Sequence, residues 1–143
     1  MCGISGLVDF TKLLSKTEIS SIIKNLRKEK VPVISHIGLI PGHVNWIGGF
    51  RAIGKNAKEA IEVLEHALEL DDAGAIGLEV EVVPPKVAEI ITKKVKLLTI
   101  SMGSGSGCDG QYLFSQDILG YNTGHVPRPV SYTHLRAHET IAN

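Results

Sequence analysis

The sequence has little cysteine, few aromatic residues, no net charge and no long apolar run. Its two cysteines, Cys2 and Cys108, are too few for a disulfide framework or a paired-cysteine zinc site. Aromatic residues make up 5% of the chain and the formal net charge is zero, which argues against a nucleic-acid partner. No apolar run approaches the ~18 residues of a membrane span, and the start lacks the basic segment of a signal peptide. We therefore expect a cytoplasmic protein with no nucleic-acid or membrane partner.

Predicted strands and helices alternate along the chain. The 143 residues, 43% of them apolar, suffice for one domain and are too few for two ordinary ones. Capping patterns at Ser15 and Asn56 and a proline pair at 84–85 start three predicted helices. Predicted strands lie between and after them, at 31–37, 77–83 and 97–102. This alternation predicts an α/β fold with a parallel sheet.

The strand around residue 80 carries two acids on one side. By the period of two, Leu78 and Val80 face one way, and Glu79 and Glu81 face the other. Unpaired carboxylates are costly to bury, so the pair needs a functional or structural reason. Glu81, at the end of the strand, is a candidate general base if burial raises its pKa, with Glu79 as a supporting like charge. The alternative is a structural ion pair with a lysine or arginine of another element.

The faces of the predicted strands favour a barrel over an open doubly wound sheet. In the strand at 97–102 the apolar set Leu98, Ile100 and Met102 opposes Thr99 and Ser101, so we expect the apolar side to face the helices. In a (β/α)₈ barrel the polar residues at the C-terminal strand ends form the active site. The residues that meet this description are His36, Glu81 and Ser101.

His36 allows two interpretations. It follows an apolar strand and precedes a glycine-rich loop, where a histidine can donate a hydrogen bond to a substrate. The other interpretation is a core histidine whose ring is satisfied by a backbone carbonyl. The remaining histidines show no metal-ligand spacing, so the residues by themselves predict no metal site.

Several short motifs resemble ketopantoate hydroxymethyltransferase (3-methyl-2-oxobutanoate hydroxymethyltransferase) in order and spacing over about residues 31–129. The motifs are Val31-Pro32-Val33-Ile34-Ser35-His36-Ile37-Gly38-Leu39, Gly48-Gly49-Phe50, Gly54-Lys55, Ala73-Gly74-Ala75, Glu81-Val82-Val83-Pro84, Gly103-Ser104-Gly105 and Cys108-Asp109-Gly110-Gln111.

The resemblance implies a TIM (β/α)₈ barrel of pantothenate biosynthesis. Such an enzyme transfers a hydroxymethyl group from 5,10-methylenetetrahydrofolate to a small 2-keto acid, 3-methyl-2-oxobutanoate, with Mg²⁺ as Lewis acid. By the resemblance Glu81 is the catalytic proton acceptor, and His36 is a substrate-binding residue of the pocket.

The family's motifs for its first four strands are not found in this sequence. These are the metal-binding aspartates in a Gly-Asp-Ser turn and an Asp-Leu-Pro segment, with a lysine and a glutamate on the fourth strand. We therefore expect the second half of the barrel at 31–130, incomplete, without metal ligands and inactive alone. Its open strand edges predict pairing into a homo-oligomer.

The two ends of the chain resemble sequences from outside this family. Residues 1–10 are similar to the start of glutamine-dependent asparagine synthetase, where Cys2 would be the N-terminal nucleophile of a class II amidotransferase. We treat 1–30 as an N-terminal segment of uncertain origin. Residues 131–143 form an expected non-native tail, because they resemble translated read-through of a sequencing adapter. The alternatives to the transferase are thus an amidotransferase fragment and a non-catalytic half-barrel that self-associates.

Overall fold

The computed structural model describes residues 15–41 and 48–115. In this part of the chain three helices and four strands follow each other. The helices are α1 (Lys16–Lys28), α2 (Ala57–Ala73) and α3 (Pro85–Lys94), and the strands are β1 (Ile34–Gly38), β2 (Gly77–Glu81), β3 (Leu98–Met102) and β4 (Gly110–Gln111). The strands form one sheet in the order β1-β2-β3-β4, and every neighbouring pair is parallel. The α/β fold with parallel βα units is confirmed.

The helices begin where the capping residues and the proline pair predict. The Ser15 hydroxyl accepts a hydrogen bond from the backbone N–H of Glu18, whose carboxylate accepts one from the Ser15 N–H in return. The Asn56 side chain caps α2 by accepting a hydrogen bond from the N–H of Glu59. Gly74 ends α2 at φ 91°, a left-handed conformation that glycine adopts without strain.

The core lies between the sheet and the helices. It is built from fully or nearly buried side chains of both layers, among them Ile37, Leu78, Val80, Ala67 and Ile91. The first helix belongs to the same core, because Ile23 is 4% exposed and joins this cluster. Within the described residues no helix is long and apolar enough to cross a membrane.

The expected faces are correct for β2 and wrong for β3. Glu79 pairs with Ile100 and Glu81 with Met102, so these side chains share the face turned away from the helices. Thr99 and Ser101 are instead fully buried on the helix-facing side, next to Leu78 and Val80.

Hydrogen bonds explain this reversed orientation. The Thr99 hydroxyl donates to Oδ2 of Asp109 at 2.8 Å, and the Ser101 hydroxyl accepts from the N–H of Ser104 at 3.0 Å. Both polar groups are therefore satisfied on the buried side, where an unpaired hydroxyl would be costly. Ser101 consequently lies on the opposite face from Glu81 and is not part of its site.

The other face of the sheet, which we call the open face, carries the side chains of Ile34, His36, Glu79, Glu81, Leu98, Ile100 and Met102. The residues at the start of the strands are uncovered on this face, since Ile34 is 61% and Leu98 is 58% exposed. The polar side chains follow further along the strands. In the register of β1 and β2, His36 lies beside Glu79 and Gly38 beside Glu81. His36, Glu79 and Glu81 thus lie together on the open face, between the middle of β1 and β2 and the carboxyl end of β2.

Candidate active site at the carboxyl ends of β1 and β2

His36 lies between the two carboxylates of β2. Its Nδ1 atom is 3.4 Å from Oε2 of Glu79, and its Nε2 atom is 3.1 Å from Oε2 of Glu81. Nε2 also lies 3.0 Å from the backbone carbonyl oxygen of Leu39, which accepts its hydrogen bond. The interpretation of His36 as a histidine satisfied by a backbone carbonyl is therefore correct for Nε2, although the side chain is 30% exposed. Its hydrogen bond to a substrate stays a prediction.

Glu81 is the least exposed of the three side chains. Its side chain is 12% exposed, against 28% for Glu79 and 30% for His36. Burial raises the pKa of the Glu81 carboxyl above its ordinary value, and the nearby Glu79 charge raises it further. His36 acts in the opposite direction, because a positive imidazole ring favours the ionised carboxylate. A carboxylate with a raised pKa can accept a proton from a weakly acidic substrate.

A strained turn follows Glu81 directly. Val82 has φ 50°, which is uncommon for any side chain and is costly for a β-branched one. The turn is held on both sides: Val82 donates its N–H to the carbonyl of Met102 at 2.9 Å, and its own carbonyl accepts from the N–H of Ile53 at 3.0 Å. These bonds fix the direction in which β2 ends and so the position of Glu81.

The hydroxyl of Ser104 ties the same turn to β2. It donates to the carbonyl of Val80 at 2.8 Å and accepts from the N–H of Val83 at 2.9 Å. Ser104 is fully buried, although no periodicity pointed to it. The only signal in the sequence was its place in the motif Gly103-Ser104-Gly105.

The described residues, this cluster included, form no set of ligands that could hold a metal ion. Residues 15–41 and 48–115 contain no group of three histidine, cysteine or acidic side chains that could hold a metal ion. His36, Glu79 and Glu81 alone therefore do not make a magnesium site. Cys2, the candidate nucleophile of the alternative interpretation, and the tail at 131–143 lie outside the described residues.

A parallel sheet with its acid and imidazole groups at the carboxyl ends of neighbouring strands is the arrangement of α/β barrel enzymes. The sequence model of the family "Ketopantoate hydroxymethyltransferase" matches residues 5–142. The chain belongs to this family, whose members are TIM-barrel transferases, and the resemblance of its motifs is confirmed.

Curated relatives agree with this assignment. The chain is 43% identical over 120 residues to the 3-methyl-2-oxobutanoate hydroxymethyltransferase of Bdellovibrio bacteriovorus, a match that covers 84% of this chain and 45% of that protein. It is 41% identical over 133 residues to the Clostridium botulinum protein of the same name, covering 92% and 48%. The chain therefore spans less than half the length of these relatives. The amidotransferase and the non-catalytic half-barrel are not favoured by these relatives.

Proposed function

We propose that this chain supplies the proton acceptor of a hydroxymethyltransferase that acts on 3-methyl-2-oxobutanoate. The observation that carries the proposal is the position of Glu81 at the carboxyl end of β2, 12% exposed and 3.1 Å from the imidazole of His36. The relatives bear the name of this activity, and Glu81 stands in the motif that resembles the family's catalytic segment. The pathway would be pantothenate biosynthesis in the cytoplasm.

The substrate's chemistry requires a base. Carbon C3 of 3-methyl-2-oxobutanoate carries one hydrogen next to the keto group, and a new hydroxymethyl group at C3 must replace that hydrogen. When the Glu81 carboxylate takes the proton, the C3–H electron pair moves into a C2–C3 double bond and the negative charge moves to the keto oxygen. Burial prepares Glu81 for this step, because it raises the pKa of the carboxyl toward that of a useful base.

His36 has two parts in the proposal. Its positive ring beside Glu81 favours the ionised carboxylate, which is the form that can accept a proton. Its side chain is 30% exposed on the open face, so we also assign it a contact with the keto acid. The first part depends on the 3.1 Å distance between the ring and Glu81, and the second on the exposed edge of the ring.

The resemblance extends the proposal to Mg²⁺ and 5,10-methylenetetrahydrofolate in the whole enzyme. The acidic and histidine side chains at 15–41 and 48–115 do not form a set that fits Mg²⁺. We therefore derive no step through the metal from these residues. Proton removal at C3 by Glu81 is the step that this part of the molecule supports.

Deuterium exchange at C3 of 3-methyl-2-oxobutanoate tests the role of Glu81. The chain is mixed in D₂O with Mg²⁺ and with the segment of the Bdellovibrio relative that it does not match, and the loss of the C3 proton signal is followed by NMR. We expect exchange above the buffer rate, reduced about 10²-fold or more by Glu81→Gln. The exposed Glu65→Gln on α2 is the control and should exchange like the parent. Equal exchange rates for Glu81→Gln and the parent in a mixture that co-purifies would refute the proposal.

A further inference from the structure

The proposed function assigns no role to Glu79, the second acid of this site. It is the register partner of His36 across β1 and β2, and both side chains lie on the open face. Its Oε2 atom is 3.4 Å from Nδ1, the ring nitrogen on the other side of the imidazole from Glu81. His36 therefore joins two carboxylates, one through each ring nitrogen.

The hydrogen positions on the ring follow from its partners. A carbonyl oxygen only accepts hydrogen bonds, so the bond to Leu39 requires a hydrogen on Nε2. An ionised carboxylate also only accepts, so the contact of Glu79 with Nδ1 is favourable when Nδ1 carries a hydrogen as well. A ring with hydrogen on both nitrogens is positively charged. The contacts thus suit the imidazolium form, flanked by two negative groups.

We propose that Glu79 is a positioning residue, which holds His36 as a cation with its Nε2–H directed at the Leu39 carbonyl and the Glu81 carboxylate. The inference rests on the proposed function, in which Glu81 is the base. It gives Glu79 an effect opposite to the one expected from its charge alone. Direct repulsion by Glu79 disfavours the ionised form of Glu81, whereas the cation that Glu79 holds in place favours it.

The direct repulsion by Glu79 and the attraction by the His36 cation change the pKa of Glu81 in opposite directions, so they can be told apart. His36 influences the pKa of Glu81 more strongly than Glu79 does, and burial more strongly than either. If Glu79 only repels Glu81, Glu79→Gln should lower the pKa of Glu81. If Glu79 holds the His36 cation, the same variant also weakens that cation, and the pKa of Glu81 should rise or stay level.

A double-mutant cycle separates the two cases. The pKa of Glu81 is measured by carboxyl ¹³C NMR in the full chain, in Glu79→Gln, in His36→Asn and in the double variant, without substrate. We expect Glu79→Gln to leave the pKa of Glu81 unchanged or higher in the parent background, and to lower it in the His36→Asn background. A decrease in both backgrounds would overturn the inference. Glu65→Gln serves as the matched control for loss of a charge at an exposed site.

The state of the His36 ring gives a second measurement. Ring ¹⁵N shifts distinguish the two neutral tautomers from the imidazolium. Compared at one pH, Glu79→Gln should move His36 from the form with hydrogen on both nitrogens toward the neutral form with hydrogen on Nε2 alone, because the Nδ1–H loses its charged acceptor while the Leu39 carbonyl keeps the Nε2–H. The same ring state in Glu79→Gln and the parent across the titration would overturn the inference. Neither measurement involves the keto acid, so a failure here is distinct from a failure of the deuterium exchange.

Discussion

The backbones of Gly38 and Glu81 lie so close across β1 and β2 that a side chain on Gly38 would overlap the carbonyl oxygen of Glu81. That carbonyl accepts the N–H of Leu39 at 2.9 Å, and Gly38 has φ 91°. A Cβ atom at position 38 would also come within 2.7 Å of Cγ2 of Val83. Glycine at position 38 is therefore a requirement of the site, because it lets the two strand ends meet.

Gly38→Ala should cost stability and displace Glu81. We expect a loss of roughly 2–4 kcal/mol in the free energy of unfolding, from the left-handed backbone together with the steric overlap. The matched control is Gly48→Ala, since Gly48 has φ 80° and a methyl group there would meet no atom within 4 Å beyond its chain neighbours. The control should lose only about 1 kcal/mol. Equal losses in urea titrations followed by circular dichroism would show that overlap with Glu81 contributes nothing.

Replacement of His36 should raise the pKa of Glu81. In His36→Asn the positive neighbour is lost, while burial and the Glu79 charge, which both raise the pKa, remain. Because the folded state then holds the proton more tightly than the unfolded state, Glu81 lowers stability as the pH rises from 4.5 through its folded pKa. This loss of stability occurs between pH 4.5 and the folded pKa of Glu81, and His36→Asn should extend it to higher pH because it raises that pKa.

Carboxyl ¹³C NMR of Glu81 gives the pKa directly, and His66→Asn is the control. His66 lies on α2, and burial lowers its own pKa. The control variant should leave the Glu81 titration where it is in the parent. A Glu81 pKa that falls or stays the same in His36→Asn would show that the 3.1 Å contact is not electrostatically important.

Much of the fold could be predicted from local signals. The caps at Ser15, Asn56 and Gly74 and the proline at position 85 act within a few residues of each helix end, so the sequence shows them directly. The faces of β2 were predictable too, because its apolar and acidic residues alternate strictly. Glu81 could be placed at the end of β2 for the same reason, whereas His36 lies two residues before the end of β1.

Features that depend on distant partners could not be predicted. Alternation alone assigned β3 the wrong orientation, because Thr99 is buried through its bonds to Asp109, which lies on the β4 side of the following turn. Those bonds also hold the pKa of Asp109 below its ordinary value. The contact of Nδ1 of His36 with Glu79 depends on the parallel register of β1 and β2, which no local pattern specifies.

Ser104→Ala should weaken the turn after Glu81. The substitution leaves the carbonyl of Val80 and the N–H of Val83 without their partner, at a place where Ser104 itself is fully buried. A buried group that loses its hydrogen bond costs about 1–3 kcal/mol. The control is Ser106→Ala at an exposed position two residues later, which should change stability by less than about 0.5 kcal/mol. If thermal unfolding does not distinguish the two variants, the hydroxyl bridge does not stabilise the turn.

Glu59 should make the chain less stable in acid. The Arg51 guanidinium donates to both of its carboxylate oxygens, at 3.0 and 3.2 Å, and with the N–H of Gly54 it lowers the pKa of Glu59 to about 2. Because this value lies below the ordinary 4.5, the stabilisation by Glu59 is complete above about pH 4.5 and is lost as the pH falls toward 2. Glu59→Gln should therefore be less stable than the parent at neutral pH and should lose less stability on acidification. Unfolding by urea, measured by circular dichroism from pH 7 to 2, checks this, and Glu65→Gln should follow the parent. Parallel curves for Glu59→Gln and the parent would mean that the ion pair does not tie the 51–54 loop to α2.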